Sequence, residues 1–169
     1  MAIKSTVKRS VKKTTPKSAI HKPNPKPEEA IQVLAVESCL SVSRASTLKY
    51  QIGIDPDSAI HLKVLSSSGS GFVNPTWYPL DRILDVLTAH SVKTPIKSSD
   101  LAKGLELEGK SRNDSAFQAA LLLANDILVP FGGKEKYHWK YASADAFLAK
   151  VEQLKSVDAP EAPRKKSTK

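Results

Sequence analysis

Lys110, Arg112, Asn113, Ser115 and Gln118 fall within one short stretch that runs from a loop into the start of a helical pattern. These side chains are suited to reading base edges: a guanidinium forks onto guanine, and a carboxamide matches adenine with one donor and one acceptor. Farther on, Lys134, Lys136, His138 and Lys140 recur at every second position, with Glu135 as the acid among them. That alternation lines one side of a strand with donors for phosphate oxygens. A third basic group, Lys8, Arg9, Lys12 and Lys13, stands near the beginning of the chain.

No comparable set assembles for catalysis. His21, His61, His90 and His138 are scattered, and none stands at metal-ligand spacing from another histidine or from Cys39. Asp55 and Asp57 belong to a turn whose Pro56 already explains them. The run Ser66-Ser67-Ser68-Gly69-Ser70-Gly71 lacks the Gly-Lys-Ser/Thr ending of a phosphate-binding loop and reads as a connector. The expectation is a protein that is not an enzyme and uses no cofactor and no metal. Cys39, alone in the sequence, excludes an internal disulfide and lies in an apolar run, so it reads as a structural thiol.

The net charge of +9 is unevenly placed: residues 1–27 contribute +8 without an acid and residues 155–169 contribute +3, which leaves −2 for residues 28–154. Lys, Ser, Thr and Pro dominate the first 27 residues and leave too little apolar surface to offset ordering, so a disordered basic tail is expected there and another over 156–169. Flexible polycations of this kind bind DNA or RNA by releasing counterions, with little sequence preference. No apolar run is long enough to span a membrane, and no apolar segment of a signal peptide follows the basic start. A cytoplasmic, nucleoid-associated location is expected, or a nuclear one in a eukaryote.

The elements that position these residues can be read in order. Glu28 to Ser43 opens with two acids and places Ile31, Leu34, Ala35 and Cys39 near one helical face, which predicts a helix. Its remaining apolar residues, Val33, Val36, Leu40 and Val42, require burial on a second side or a partner. Thr47 to Leu65 alternates in two runs around Asp55-Pro56-Asp57-Ser58 and predicts a β-hairpin, with Phe72-Val73 as a third strand. Trp77 and Tyr78, braced by prolines, form a corner before a helix over Leu80 to His90. A short helix from Ser98, a longer one from Asp114 to Ile127, a hairpin through Leu128 to Tyr141 and a closing helix from Ser143 to Leu154 complete the folded part.

The succession of helix, helix, helix and β-hairpin from Tyr78 to Tyr141 resembles a winged helix-turn-helix domain. What the resemblance implies is that the helix from Asp114 enters the major groove of DNA and the hairpin touches its backbone. The expected fold is therefore α+β: a disordered tail (1–27), a helix plus β-hairpin extension (28–75), a winged-helix-like domain with its closing helix (76–155) and a second basic tail (156–169). The expected function is DNA binding, with register from the core and electrostatic affinity from the arms. The alternative is a structural or adaptor protein docked on a protein partner within a nucleic-acid-containing assembly. Asp114, Asp126 and Leu122 on the proposed DNA face favour that alternative. A homodimer, through the closing helix, is a further possible assembly.

Overall fold

Asp55-Pro56-Asp57-Ser58 reverses the chain as its composition requires. The Asp55 carboxylate accepts from the Ala59 N–H (2.8 Å), the Ser58 N–H donates to the Asp55 carbonyl (2.9 Å), and Ser58 takes a positive φ of 66°. The two strands on either side, Thr47–Ile54 and Ile60–Ser67, pair antiparallel with Ile52 opposite Leu62. A computed structural model describes residues 31–69, 72–91, 93–107, 113–132 and 137–157. The elements are β1 (Gln32–Leu40), β2 (Thr47–Ile54), β3 (Ile60–Ser67), β4 (Tyr78–Pro79), α1 (Leu80–Thr88), α2 (Ser98–Gly104), α3 (Asp114–Ala124), β5 (Leu128–Pro130), β6 (Trp139–Tyr141) and α4 (Asp145–Val157). The chain is α+β, with a four-stranded antiparallel sheet in the order β1-β2-β3-β4 and a two-stranded β5-β6 sheet. Residues 1–27 and 158–169 of the expected tails lie outside the described residues, whereas Ser156 and Val157, expected in the second tail, are the last residues of α4.

The segment expected to be the first helix is a strand. β1 pairs with β2 from Gln32↔Ile54 to Leu40↔Thr47, and the register shifts between Val33 and Ala35, so Leu34 is an extra residue in the ladder. That bulge flips the parity of the alternation, and two half-patterns of period two then imitate a helical stripe at 31, 34, 35 and 39. Val33 and Val36, stiff at χ1, favour the extended form. The third strand is also not Phe72-Val73. Tyr78-Pro79 pairs with Leu62 and His61 instead and leads directly into α1.

Gly53 shows why the strand face opposite the core can be crossed closely. A Cβ there would lie 3.0 Å from the Trp77 ring, 3.0 Å from the Gln32 carbonyl oxygen and 2.5 Å from the Ile31 side chain. Trp77 therefore lies across this face of the sheet, and the Lys63 ammonium stands 5.3 Å from its ring centroid. Both α2 and α3 end in the same backbone device. Glu106 (φ 53°) and Asp126 (φ 56°) take the left-handed conformation, and Leu107 and Ile127 donate back to the Ala102 and Leu122 carbonyls (2.8 and 2.9 Å). That closure ends the third helix at Ala124, not at Ile127.

The two halves of the chain share one apolar core, in which Leu48, Ile52 and Leu62 of the sheet are buried together with Ile83, Leu101, Leu121, Trp139 and Val151. A polar ring crosses it. The Tyr50 hydroxyl donates to Glu37 (2.6 Å), the Asn125 amide donates to Tyr50 (3.0 Å), and the Lys150 ammonium reaches both Glu37 (2.7 Å) and the Asn125 oxygen (3.1 Å). Burial works to raise the Glu37 pKa, but the hydrogen bonds from Lys150 and Tyr50 outweigh it and hold the carboxyl below its ordinary 4.5. Burial, then the neighbouring Glu37, pushes the Tyr50 phenol well up, so it stays a donor.

Two outcomes are expected. Gly53→Ala forces Trp77 and Ile31 off the sheet and costs about 1–3 kcal/mol, read as a lowered denaturant midpoint with a changed tryptophan emission; an unchanged midpoint would refute the close-approach argument. Because the folded Glu37 carboxyl titrates below its unfolded value, its contribution is present above pH 4.5 and is lost as pH falls through the folded pKa. Asp55, held low first by its hydrogen bond from His61, acts in the same direction. Denaturant midpoints should thus drop on acidification below that value, and Glu37→Gln should flatten the drop while Asp55 keeps part of it.

Candidate nucleic-acid interface

The interface expected from the sequence has a helix, its entry loop and a hairpin. α3 forms from a strongly apolar sequence, Phe117 to Ala124, in which Gln118 is the one polar interruption. It is enclosed by α2, β1 and β5. Eight of its eleven residues are buried, and Ala116, Leu123 and Ala124 are left toward the surface. The arc expected to meet DNA is among the most enclosed: Asp114 is 4% exposed, Ser115 6%, Gln118 2% and Leu122 0%. Ser115 and Gln118 are therefore core residues and not surface donors, a correction to the expected base contacts. β1 also reaches α3, where Ser38, Cys39 and Leu40 line a groove with Ala120, Leu123 and Ala124, on the side of the helix away from that arc.

Asn113 is exposed at the N-terminal boundary of α3. It shares a shallow cleft of about 230 Å³ with Tyr137 and the serines of the β1–β2 turn. Lys140 is exposed on β6, in a different cleft, of about 530 Å³, that it lines with His90, Ser91 and Thr94. Asn113 and Lys140 thus line different clefts. Lys8, Arg9, Lys12, Lys13, Lys110, Arg112, Lys134 and Lys136 lie outside the described residues.

The hairpin is anchored as the alternation predicts at its centre. Trp139 is buried, pairs with Pro130 on one side, and exchanges both backbone hydrogen bonds with Ile96 on the other (2.8 and 3.0 Å). Tyr141 is half-buried and Tyr137 is exposed, so the apolar face narrows toward the turn. Gly132 takes a positive φ of 53° where the chain leaves β5.

Two further features are not apparent from the sequence. Arg44 sits at φ 59° in the β1–β2 turn and borders, with Leu123, Ala124 and His138, a groove of about 940 Å³ between that turn, α3 and the β5–β6 hairpin. Its position becomes legible only when β1 is read as a strand, because a hairpin turn must then lie at 41–46. Lys49, exposed on β2, and Lys63 with Trp77 carry the remaining basic character of the sheet.

The titratable groups considered for catalysis do not converge. His61 Nε2 is 3.0 Å from the Asp55 carboxylate within the β2–β3 hairpin, His90 lines the cleft beside β6, and Asp57 is exposed in its turn. Burial, and then Glu37, raises the Cys39 thiol to about 11, which keeps it protonated and unreactive near neutrality. Among the described residues no group of three His, Cys, Asp or Glu is placed to hold a metal ion, and no helix is long and apolar enough to cross a membrane. No family model, no curated protein and no solved structure matches the chain.

The burial of Gln118 gives a direct test. Its side-chain oxygen is buried without a hydrogen-bond partner, so Gln118→Leu should leave stability unchanged or raise it by up to about 1–3 kcal/mol. Affinity for a random DNA duplex should not change. A variant that folds normally and loses DNA binding would restore α3 as a contact surface.

Proposed function

We propose that this chain is a non-enzymatic adaptor of a nucleic-acid-containing assembly. Its Lys-rich arms hold DNA or RNA, and its winged-helix-like core docks on protein. The observation that carries this reading is the burial of Asp114, Ser115, Gln118 and Leu122, the arc of α3 expected to meet the major groove. The charge distribution supports it: the arms hold +8 (residues 1–27) and +2 (residues 156–169), whereas residues 28–155 carry −1 and have little attraction for a polyanion. The order α1, Ile96 bridge, α2, α3, β5, β6 is that of a winged helix, and such modules serve protein contacts as well as DNA. Exposed Phe72 and Tyr137 supply apolar surface for a protein partner.

A second reading, direct DNA contact by the hairpin and the loop before α3, is favoured by the exposure of Asn113 and Lys140. Titrating a random duplex at several salt concentrations, with the full chain and with a chain lacking residues 1–27, separates the two. The adaptor reading expects the truncated chain to lose most of its affinity, with the salt slope falling by about 0.9 for each phosphate that the arm no longer neutralises. A truncated chain that binds with an unchanged slope would transfer the contact to the core and support the second reading.

A further inference from the structure

β1 is an edge strand of the four-stranded sheet, nine residues long, and its sequence QVLAVESCL contains no Lys, Arg or Pro. Edges are normally shielded by just those residues or by being short, because their unpaired N–H and C=O groups otherwise recruit another strand. The Ser41 N–H donates to the Ser46 carbonyl (2.8 Å) at the end of the ladder. Counting back in twos along the register, Cys39 and Glu37 turn their backbone groups toward β2, and Leu40, Ser38 and Val36 turn theirs outward. The most exposed apolar side chains of the strand are Val36 (58%) and Leu40 (55%), one on each side of Ser38. The single charge, Glu37, is neutralised within the chain by Lys150 and Tyr50.

From this we infer that β1 pairs with β1 of a second copy of the chain, antiparallel, about a two-fold axis at Ser38. That axis is selected by three features together. It joins the outward-facing backbone groups of Val36, Ser38 and Leu40 to those of Leu40, Ser38 and Val36 of the second copy. It seats each exposed Val36 against an exposed Leu40, on the same side of the joined sheet. It places Glu37 opposite Cys39, whereas an axis one residue earlier would set two Glu37 side chains face to face. The register also stays clear of the bulge at Leu34. A groove of about 940 Å³ runs beside Ser38, Cys39 and Leu40 and is walled on its other side by α3 and the β5–β6 hairpin. The result is one continuous eight-stranded sheet. The inference stands independently of whether the arms bind nucleic acid.

Sedimentation equilibrium of the full chain tests it, together with two pairs of substitutions at exposed positions. The wild-type chain should show a concentration-dependent dimer. Val36→Lys with Leu40→Lys sets Lys against Lys twice and should weaken dimerisation by about tenfold or more, whereas Val36→Lys with Leu40→Glu sets Lys against Glu and should retain it. Ser38→Cys in a Cys39→Ser background should form an intermolecular disulfide under mild oxidation, since the axis places position 38 opposite itself. A wild-type chain that stays monomeric at all concentrations, or two charge variants that behave alike, would overturn the pairing. So would a monomer whose Val36→Lys, Leu40→Lys variant loses a different protein, because the edge would then belong to that partner.

Discussion

The ring formed by Glu37, Tyr50, Asn125 and Lys150 is the interaction on which the architecture turns. Each member comes from a different element or its end: β1, β2, the close of α3, and α4. An apolar core alone would let the sheet slide or rotate over the helices at small cost, because dispersion and area burial are not directional. The ring admits one placement. Tyr50 must donate to a carboxylate and accept from an amide, and Lys150 must satisfy both Glu37 and the Asn125 oxygen. Losing any one partner leaves the others partly desolvated and unpaired, which costs about 1–3 kcal/mol for each neutral group and more for a charge. The ring specifies register more than it adds net stability.

α3 packs on α2, β1 and β5, and its polar residues Ser115 and Gln118 are interior. The Gln118 oxygen and one Asp114 oxygen are buried without hydrogen-bond partners. Such residual polarity is costly for a helix built only for a core. Asp114 stands in the first turn of α3, where the helix dipole offsets part of that cost.

Much of this was legible in the sequence. The β2–β3 hairpin was legible because alternation and Asx-Pro turn chemistry agree at Asp55 to Ser58. The helices at Leu80, Ser98 and Asp114 were legible because apolar spacing and a first-turn acid (Asp81, Asp100, Asp114) agree, and α4 because Ser143 accepts from the Asp145 N–H (3.0 Å) at its start. β1 was not, since one inserted residue, Leu34, converts a period of two into a convincing period near 3.6. The surplus of apolar residues at Val33, Val36 and Leu40 was the available signal, because a helix with two greasy sides needs a partner whereas an edge strand explains both sides at once. The candidate site failed for its own reason: Ser115 and Gln118 are residue types that mostly face water, and in α3 they are buried.

The exposed edge also bears on how the chain tolerates its own composition. An unshielded nine-residue apolar strand is an aggregation hazard in a molecule that keeps it solvent-exposed. The net charge of +9, concentrated toward the two ends of the sequence, opposes indiscriminate association through like-charge repulsion between copies. Repulsion of that kind falls off with screening, while backbone pairing along a matched register does not. A closed two-fold pair uses the edge once and leaves no second free β1 to extend a fibre, whereas a heterologous contact would continue. The combination of an open edge, a self-complementary register about Ser38 and a strongly like-charged chain is therefore selective: it permits one specific pairing and penalises unlimited addition.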